Sequence, residues 1–374
     1  MKISWKITLA ALALLGWLGA RAQAQTQPNT VPPPPPPPPP PSATAPVPET
    51  TITPDAGNGG DPWYLQGEFL YLRRDAPRRN LSLDLADGFT LVDTKSLHFD
   101  FEPGFRVGVG YQCTPCWALE VTFFATADWS NHQGFAALNT PGVNGAFAGS
   151  LFSGFSQFGK FPTLFPFDGA QANFLAYSAS LHDLEVNLRH QLVANNNFVL
   201  TGLFGVRNVH DHERFLFTAV GTADGTPTGT PATGEYATET NNDTFTFQAG
   251  GDLSYWCGDS FALTGMAKMG WGVNRTRERS AINGAFIAGP TPFSVSATSE
   301  HVGGSGLLEY GLFANWRLTH GAIVRVGYQA IFLTNMALAP RQLNFLTSPA
   351  AQLNVDHNGT LFLHGPSAGL EFTW

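Results

Sequence analysis

Gly303–Leu333 reads GGSGLLEYGLFANWRLTHGAIVRVGYQAIFL, two alternating runs joined at Thr319-His320-Gly321. Leu308, Tyr310, Leu312, Ala314, Trp316 and Leu318 share one parity, and Glu309, Gly311, Asn315 and Arg317 take the other. In the second run Val324, Val326, Tyr328, Ala330 and Phe332 alternate with Arg325, Gly327 and Gln329. Successive side chains on a strand point to opposite faces, so the spacing predicts a β-hairpin with one apolar and one polar surface. A soluble sandwich would turn the apolar side to a core. Here aromatics gather near the ends of that side while the other carries charge and glycine, the pattern of a barrel strand with lipid outside and a wet lumen inside.

Composition agrees. Charged residues make up 13% of the 374, about half the share of an ordinary soluble domain. Yet no run beyond the first two dozen residues reaches the roughly 18 apolar residues that a spanning helix needs, which excludes a helical membrane protein. Thirty Phe and 40 Gly suit lipid-facing and lumen or turn positions of a barrel. A formal net charge of -8 leaves no basic footprint, so nucleic acid is not an expected partner.

The first residues read as a secretory leader: Lys2 and Lys6, an apolar stretch from Ile7 to Ala20, then Ala22-Gln23-Ala24 as a small-x-small cleavage site. Residues 1–24 are therefore expected to be a signal peptide. Residues 25–61 are Pro, Thr, Ala and Gly rich, with ten consecutive prolines at Pro32–Pro41, which should form a polyproline II rod of about 30 Å. Such an arm either contacts the cell wall or serves as a disordered spacer without a partner.

From residue 62 onward the alternation recurs. It predicts strands over Pro62–Arg73, Gly104–Gln112, Trp117–Thr126, Tyr177–Gln191, Phe198–Val209, Thr244–Tyr255, Phe261–Asn274, the two arms of the opening hairpin and Leu361–Trp374. Residues 74–101, 219–240, 275–302 and 335–360 read as long loops, and 128–173 as an irregular Phe-, Gly- and Pro-rich excursion, either a plug in the barrel mouth or one further hairpin. The expectation is thus an all-β, antiparallel transmembrane β-barrel of ten strands, twelve if the excursion adds a pair. Connections alternate long and short, as in outer-membrane barrels with short periplasmic turns and long outer loops, which puts both mature termini in the periplasm of a diderm bacterium. Leu370, Phe372 and Trp374, in lipid-facing register at the carboxyl end, look like an assembly signal for the barrel assembly machinery.

Four pieces carry a family resemblance: Trp63-Tyr64-Leu65-Gln66-Gly67-Glu68-Phe69-Leu70; Gly104-Phe105-Arg106-Val107-Gly108-Val109-Gly110-Tyr111; Gly205-Val206-Arg207; and Val326-Gly327-Tyr328-Gln329 running on to Met336-Ala337-Leu338-Ala339-Pro340. Together they resemble the porin-like outer-membrane β-barrel family of planctomycete type, akin to the Legionella-type pore-forming outer-membrane proteins. The similarity spans residues 62–374 and implies a pore in outer-membrane lipid. It supplies no catalytic residues and no cofactor.

Parity selects the candidate lumen-lining residues: Glu68, Arg106, Glu120, Asp183, Glu185, Arg189, Arg207, Asp252, Lys268, Glu309, Arg317, Arg325 and Glu371. A ring of one sign would select ions, whereas this mixed set fits cross-strand ion pairs filling a narrow bore. Ten strands leave room for a small conduit at most. Passive passage of small solutes through a loop-gated lumen is the first expectation, and a non-conducting barrel acting through its outer loops the second. His210-Asp211-His212 places two imidazoles on one strand face, but no further ligand is evident, so neither a metal site nor a rim protease follows. Cys113, Cys116 and Cys257 fall on two short turns. Cys113 and Cys116 could pair with each other, or Cys257 with either of them.

Overall fold

The computed structural model describes residues 62–75, 77, 79–84, 89–137, 147–160, 164–195, 197–287, 291–345 and 354–374. The leader and the Pro-rich arm lie outside these residues. The strands are β1 (Trp63–Arg74), β2 (Asn80–Asp84), β3 (Phe89–Asp93), β4 (Glu102–Thr114), β5 (Trp117–Thr126), β6 (Trp129–Ala136), β7 (Leu151–Ser153), β8 (Ala172–Ala194), β9 (Phe198–Thr222), β10 (Pro231–Trp256), β11 (Phe261–Ala285), β12 (Phe293–Thr319), β13 (Ala322–Met336) and β14 (Gly359–Thr373).

Every neighbour in the main sheet is antiparallel, and the sheet closes on itself: β14 pairs with β1, and β5 pairs with β8. Trp117–Ala125 oppose His190–His182 of β8, and Trp129–Ala136 then oppose Ala179–Ala172 of the same strand. β5 and β6 are therefore two halves of one staff, bent at Ala127-Asp128, and the ring among the described residues has ten positions. The twelve-strand alternative is overturned: the excursion after Asp128 extends an existing strand and then leaves the wall. A closed ring removes the unpaired sheet edge that could not survive in lipid.

The apolar parity faces outward. Leu312, at 73%, and Trp271, at 69%, are the most exposed rings or chains of the belt, while Glu309 and Asn315 from the opposite parity are buried. Trp63 against Tyr111, and Phe261 against Trp316, gather rings at the short-turn end, and Phe105 against Phe123, and Phe245 beside Phe247, do so further up. From Leu263 to Val273 the belt is roughly 26 Å tall, taking about 3.4 Å per residue and a tilt of about 40°. Leu308, outward and opposite Met269, lies near mid-height. Leu308→Arg is expected to lower refolding stability in lipid by about 2–4 kcal/mol, whereas Thr298→Arg, on the same face above the belt, should change it by about 1 kcal/mol or less, both read from urea unfolding.

Above the belt, β8 to β12 run on far beyond the expected strand ends, and the segments read as loops at 219–240 and 275–302 are largely wall. They escaped detection because the alternation inverts there. Outward positions become His210, His212, Arg214, Glu239, Asp243, Arg275 and Arg277, while inward ones become Phe215, Phe217, Tyr236 and Ile282. The inward rings meet a plug. The described parts of the connections 75–101, 137–171 and 337–358 fold into the end away from the short turns, with a small sheet β3-β2-β7 and short 3-10 turns. Leu81, Val92, Phe99, Leu151, Phe155 and Phe167 pack with the wall residues Leu70, Leu72, Phe124, Trp129, Phe215 and Phe217 in one apolar core. The Phe-rich excursion is the largest contributor, which settles it as plug rather than hairpin.

Candidate functional site: the lumen and its plug

Below the plug the lumen is filled by side chains. Glu309 accepts from Arg106 at 2.9 Å and from Arg207 at 2.5 Å, with Lys268 Nζ 4.0 Å away. Arg207 also reaches Asp183 at 2.5 Å and Glu185 at 3.4 Å, and Lys268 donates to Glu185 at 2.8 Å. Arg106 turns its other side to Glu68, 3.2 Å, and Gln329, 2.9 Å; Arg325 approaches Glu68 at 3.3 Å. Nearer the short turns Arg189 bridges Glu120 at 3.1 Å and Asp252 at 2.5 Å, and Tyr64 donates to Glu120 at 2.8 Å. Glu371, inward and buried, lies opposite Gln66 and Ile323.

Twelve of the thirteen parity-selected residues thus come together in the bore. Arg317 does not join them; it stacks over Trp256, 4.7 Å from the ring centroid, at the short-turn rim. The bore also holds a ring. Phe313 points inward with the Arg325 guanidinium 3.6 Å from its centroid, and Gly327 lets it lie there, since a Cβ at that glycine would fall 2.3 Å from the ring. Five cations stand against seven carboxylates, so no single-sign filter exists. A cavity beside Tyr64, Gln66, Arg189 and Lys268 measures about 40 Å³, room for about three waters.

Sequence reasoning missed the upper tie. Arg74, one residue past the expected end of the first strand, is buried against Asp211 at 2.6 Å and against Glu213. Glu213 also accepts from Tyr177 at 2.9 Å and from the Ala339 amide at 2.7 Å, which fastens the plug to the wall. The parity of Glu68 carried through to Arg74 was the available signal. Asp211 is therefore structural, and its two neighbours face out: His210 meets Asp243 at 2.5 Å and His212 meets Asn241 at 2.9 Å. The triplet lies in the middle of β9. Among the described residues no group of three or more His, Cys, Asp or Glu is placed to hold a metal. Cys113, Cys116 and Cys257 are exposed free thiols, so neither expected disulfide is formed here.

Just above the belt the His182 ring sits 4.6 Å from that of His210. Partial burial first, and the His210 imidazole second, hold His182 below the usual histidine range, against the pull of Asp243. The folded chain therefore takes this proton less readily than the unfolded one, so stability is full above about pH 6.5 and falls as the pH drops through and below that value. His182→Asn is expected to flatten that part of the stability curve, measured by urea midpoints at a series of pH values.

A closed, plugged antiparallel barrel with an apolar belt outside and charge inside is a transmembrane β-barrel of the outer-membrane kind. No protein-family model matches the chain, and no curated protein matches it in sequence. Solved structures similar to it include the outer membrane protease OmpT of Escherichia coli (11% identity over 84% of this chain and 97% of that one, TM-score 0.43). Others are the toluene transporter TodX of Pseudomonas putida (8%, 86% and 93%, 0.33) and the attachment invasion locus protein Ail of Yersinia pestis (9%, 83% and 99%, 0.24). Likeness at these scores carries no functional weight.

Proposed function

We propose that this chain is an outer-membrane barrel with both mature termini in the periplasm, whose lumen rests closed and which acts through its outer end. The planctomycete-type porin-like kinship belongs to this reading and rests on the four short motifs alone. One observation carries the closed state: the bore is occupied by the chain's own ion pairs around Glu309, and the cavity beside Arg189 and Lys268 has room for only about three waters. Above it the apolar plug is a second stopper. The orientation follows from the connections: the Cys113–Cys116 turn and the other short ones share one end with Trp63 and Trp374, and the plug-forming connections share the other.

Passive small-solute passage would require the plug to withdraw and the ion pairs to part, so an open porin is the less favoured function. Planar-bilayer recording of refolded protein decides between them. The closed barrel gives no discrete current steps; steady steps at low voltage in the unmodified chain would overturn it. Partners under this reading are outer-membrane lipid, the assembly machinery that reads Leu370, Phe372 and Trp374, and whatever meets the outer end. The cell wall, through the Pro-rich arm, completes the set.

A further inference from the structure

We propose that the outer end of the plug carries a binding site for a small organic anion built on a flat ring, an aryl carboxylate being the simplest case. The inference deepens the reading that the chain acts through its outer end, and its placement rests on that reading. A cavity of about 670 Å³ opens where three connections meet, lined by Arg79, Asn80, Gln157, Phe158, Lys160 and Phe345, with Gly154 at its wall. That volume falls within the range of small-molecule sites.

Charge selects the ligand's sign. Among the described residues the lining offers two cations and no carboxylate, on a chain whose acidic residues outnumber its basic ones 28 to 20. Arg79 is held in place: one guanidinium N–H is spent on the Leu343 carbonyl at 2.8 Å, its backbone N–H donates to Thr94 Oγ1 at 2.5 Å, and the guanidinium stands 5.4 Å from the Phe345 ring centroid. The fork has five donors, which leaves N–H groups for a carboxylate or phosphate, and Lys160 supplies a second, mobile charge.

The aromatic pair selects a flat ring. Phe345 meets Phe155 edge-on at 5.3 Å, and Gly154 admits it, since a Cβ there would lie 2.4 Å from the ring. Phe158 is presented by an unusual backbone. Gln157 and Phe158 both have left-handed φ, 51° and 59°, which is uncommon for residues other than glycine and is kept only where the surroundings enforce it. The Phe158 amide donates to the Ser153 carbonyl at 3.0 Å, and the Gly159 amide to Ser156 Oγ at 2.8 Å. This strained turn sets Gln157, Phe158 and Lys160 along one side of the cavity. The left-handed pair closes the short 3-10 turn Gly154–Ser156, with Gln157 as its C-cap, and so fixes where Phe158 and Lys160 stand.

The test is equilibrium dialysis of the full chain, refolded in detergent, against labelled benzoate, benzyl alcohol and inorganic phosphate. Benzoate should bind at one per chain, about tenfold or more tighter than benzyl alcohol, which has the ring without the charge, or phosphate, which has the charge without the ring. Raising salt from about 0.05 to 0.5 M should weaken it severalfold. Arg79→Gln and Lys160→Gln should each cost about tenfold; Lys160 is exposed, so its variant keeps the test valid if loss of Arg79 disturbs the plug. Equal affinity for all three probes, no binding, or full affinity in the Lys160 variant overturns the proposal. A barrel silent in bilayers that ignores benzoate sinks this site alone, and a conducting barrel that binds it sinks the closed-lumen reading alone.

Discussion

Arg207→Met is expected to leave a barrel that unfolds at markedly lower urea, with a loss of about 3–5 kcal/mol. Arg207 is 1% exposed and touches Asp183, Glu185 and Glu309, each on an adjoining or facing staff. Its removal strands Asp183, whose ion pair it is, and leaves Glu185 to Lys268 and Glu309 to Arg106 alone, in a bore packed with side chains; the uncompensated charge rather than the lost contact sets the size of the effect. Urea titration of refolded protein, read by the shift in gel mobility between folded and heated forms, measures it. Arg207→Met with Asp183→Leu should recover part of the loss, because the second change removes the stranded charge. A single-variant loss below about 1 kcal/mol would mean that water already screens the network, and the closed lumen would lose its support.

Trp129→Ala is expected to loosen the plug by about 3–5 kcal/mol while leaving the membrane wall folded. Trp129 is fully buried where the bent staff meets the plug, and its indole N–H donates to the Leu72 carbonyl at 3.0 Å. Proteolysis of the outer connections should accelerate on the order of a hundredfold or more, as the open fraction rises, with heat-resistant gel mobility retained. Bilayer current should stay silent, because the Glu309 cluster below still blocks the bore. Joined with Glu309→Leu and Arg106→Met, the same change should produce discrete steps. Current from Trp129→Ala alone would show that the plug is the sole stopper.

The hairpin at Gly303–Leu333, the staff at Phe261–Asn274 and the inward set around Glu309 were legible because lipid and a polar bore impose a strict two-residue rhythm. The plug and the upper wall were not. In Asn208–Thr222 the rhythm continues with its sense reversed, so a search for apolar-out strands stops at Val209. Leu151–Ser153 and the turns around it follow no period, because they pack on all sides within a core. Arg317 shared the right parity but sits too close to the rim to reach the carboxylates of the bore, a matter of height that parity cannot convey. The anion pocket has no local signature at all, since Arg79, Lys160 and Phe345 are brought together only by the fold.

The inversion along β9, β10 and β11 bears on how these long staffs find their pairing. Were one of them to slip by a single residue against its neighbour, Arg207 or Lys268 would swing into the acyl chains, and Phe215 or Tyr236 into water, in the same movement. Each mistake is penalised twice, at opposite ends and in opposite media. Five strands of 23 to 27 residues can therefore hold one alignment with an unbroken ladder across β9 and β10.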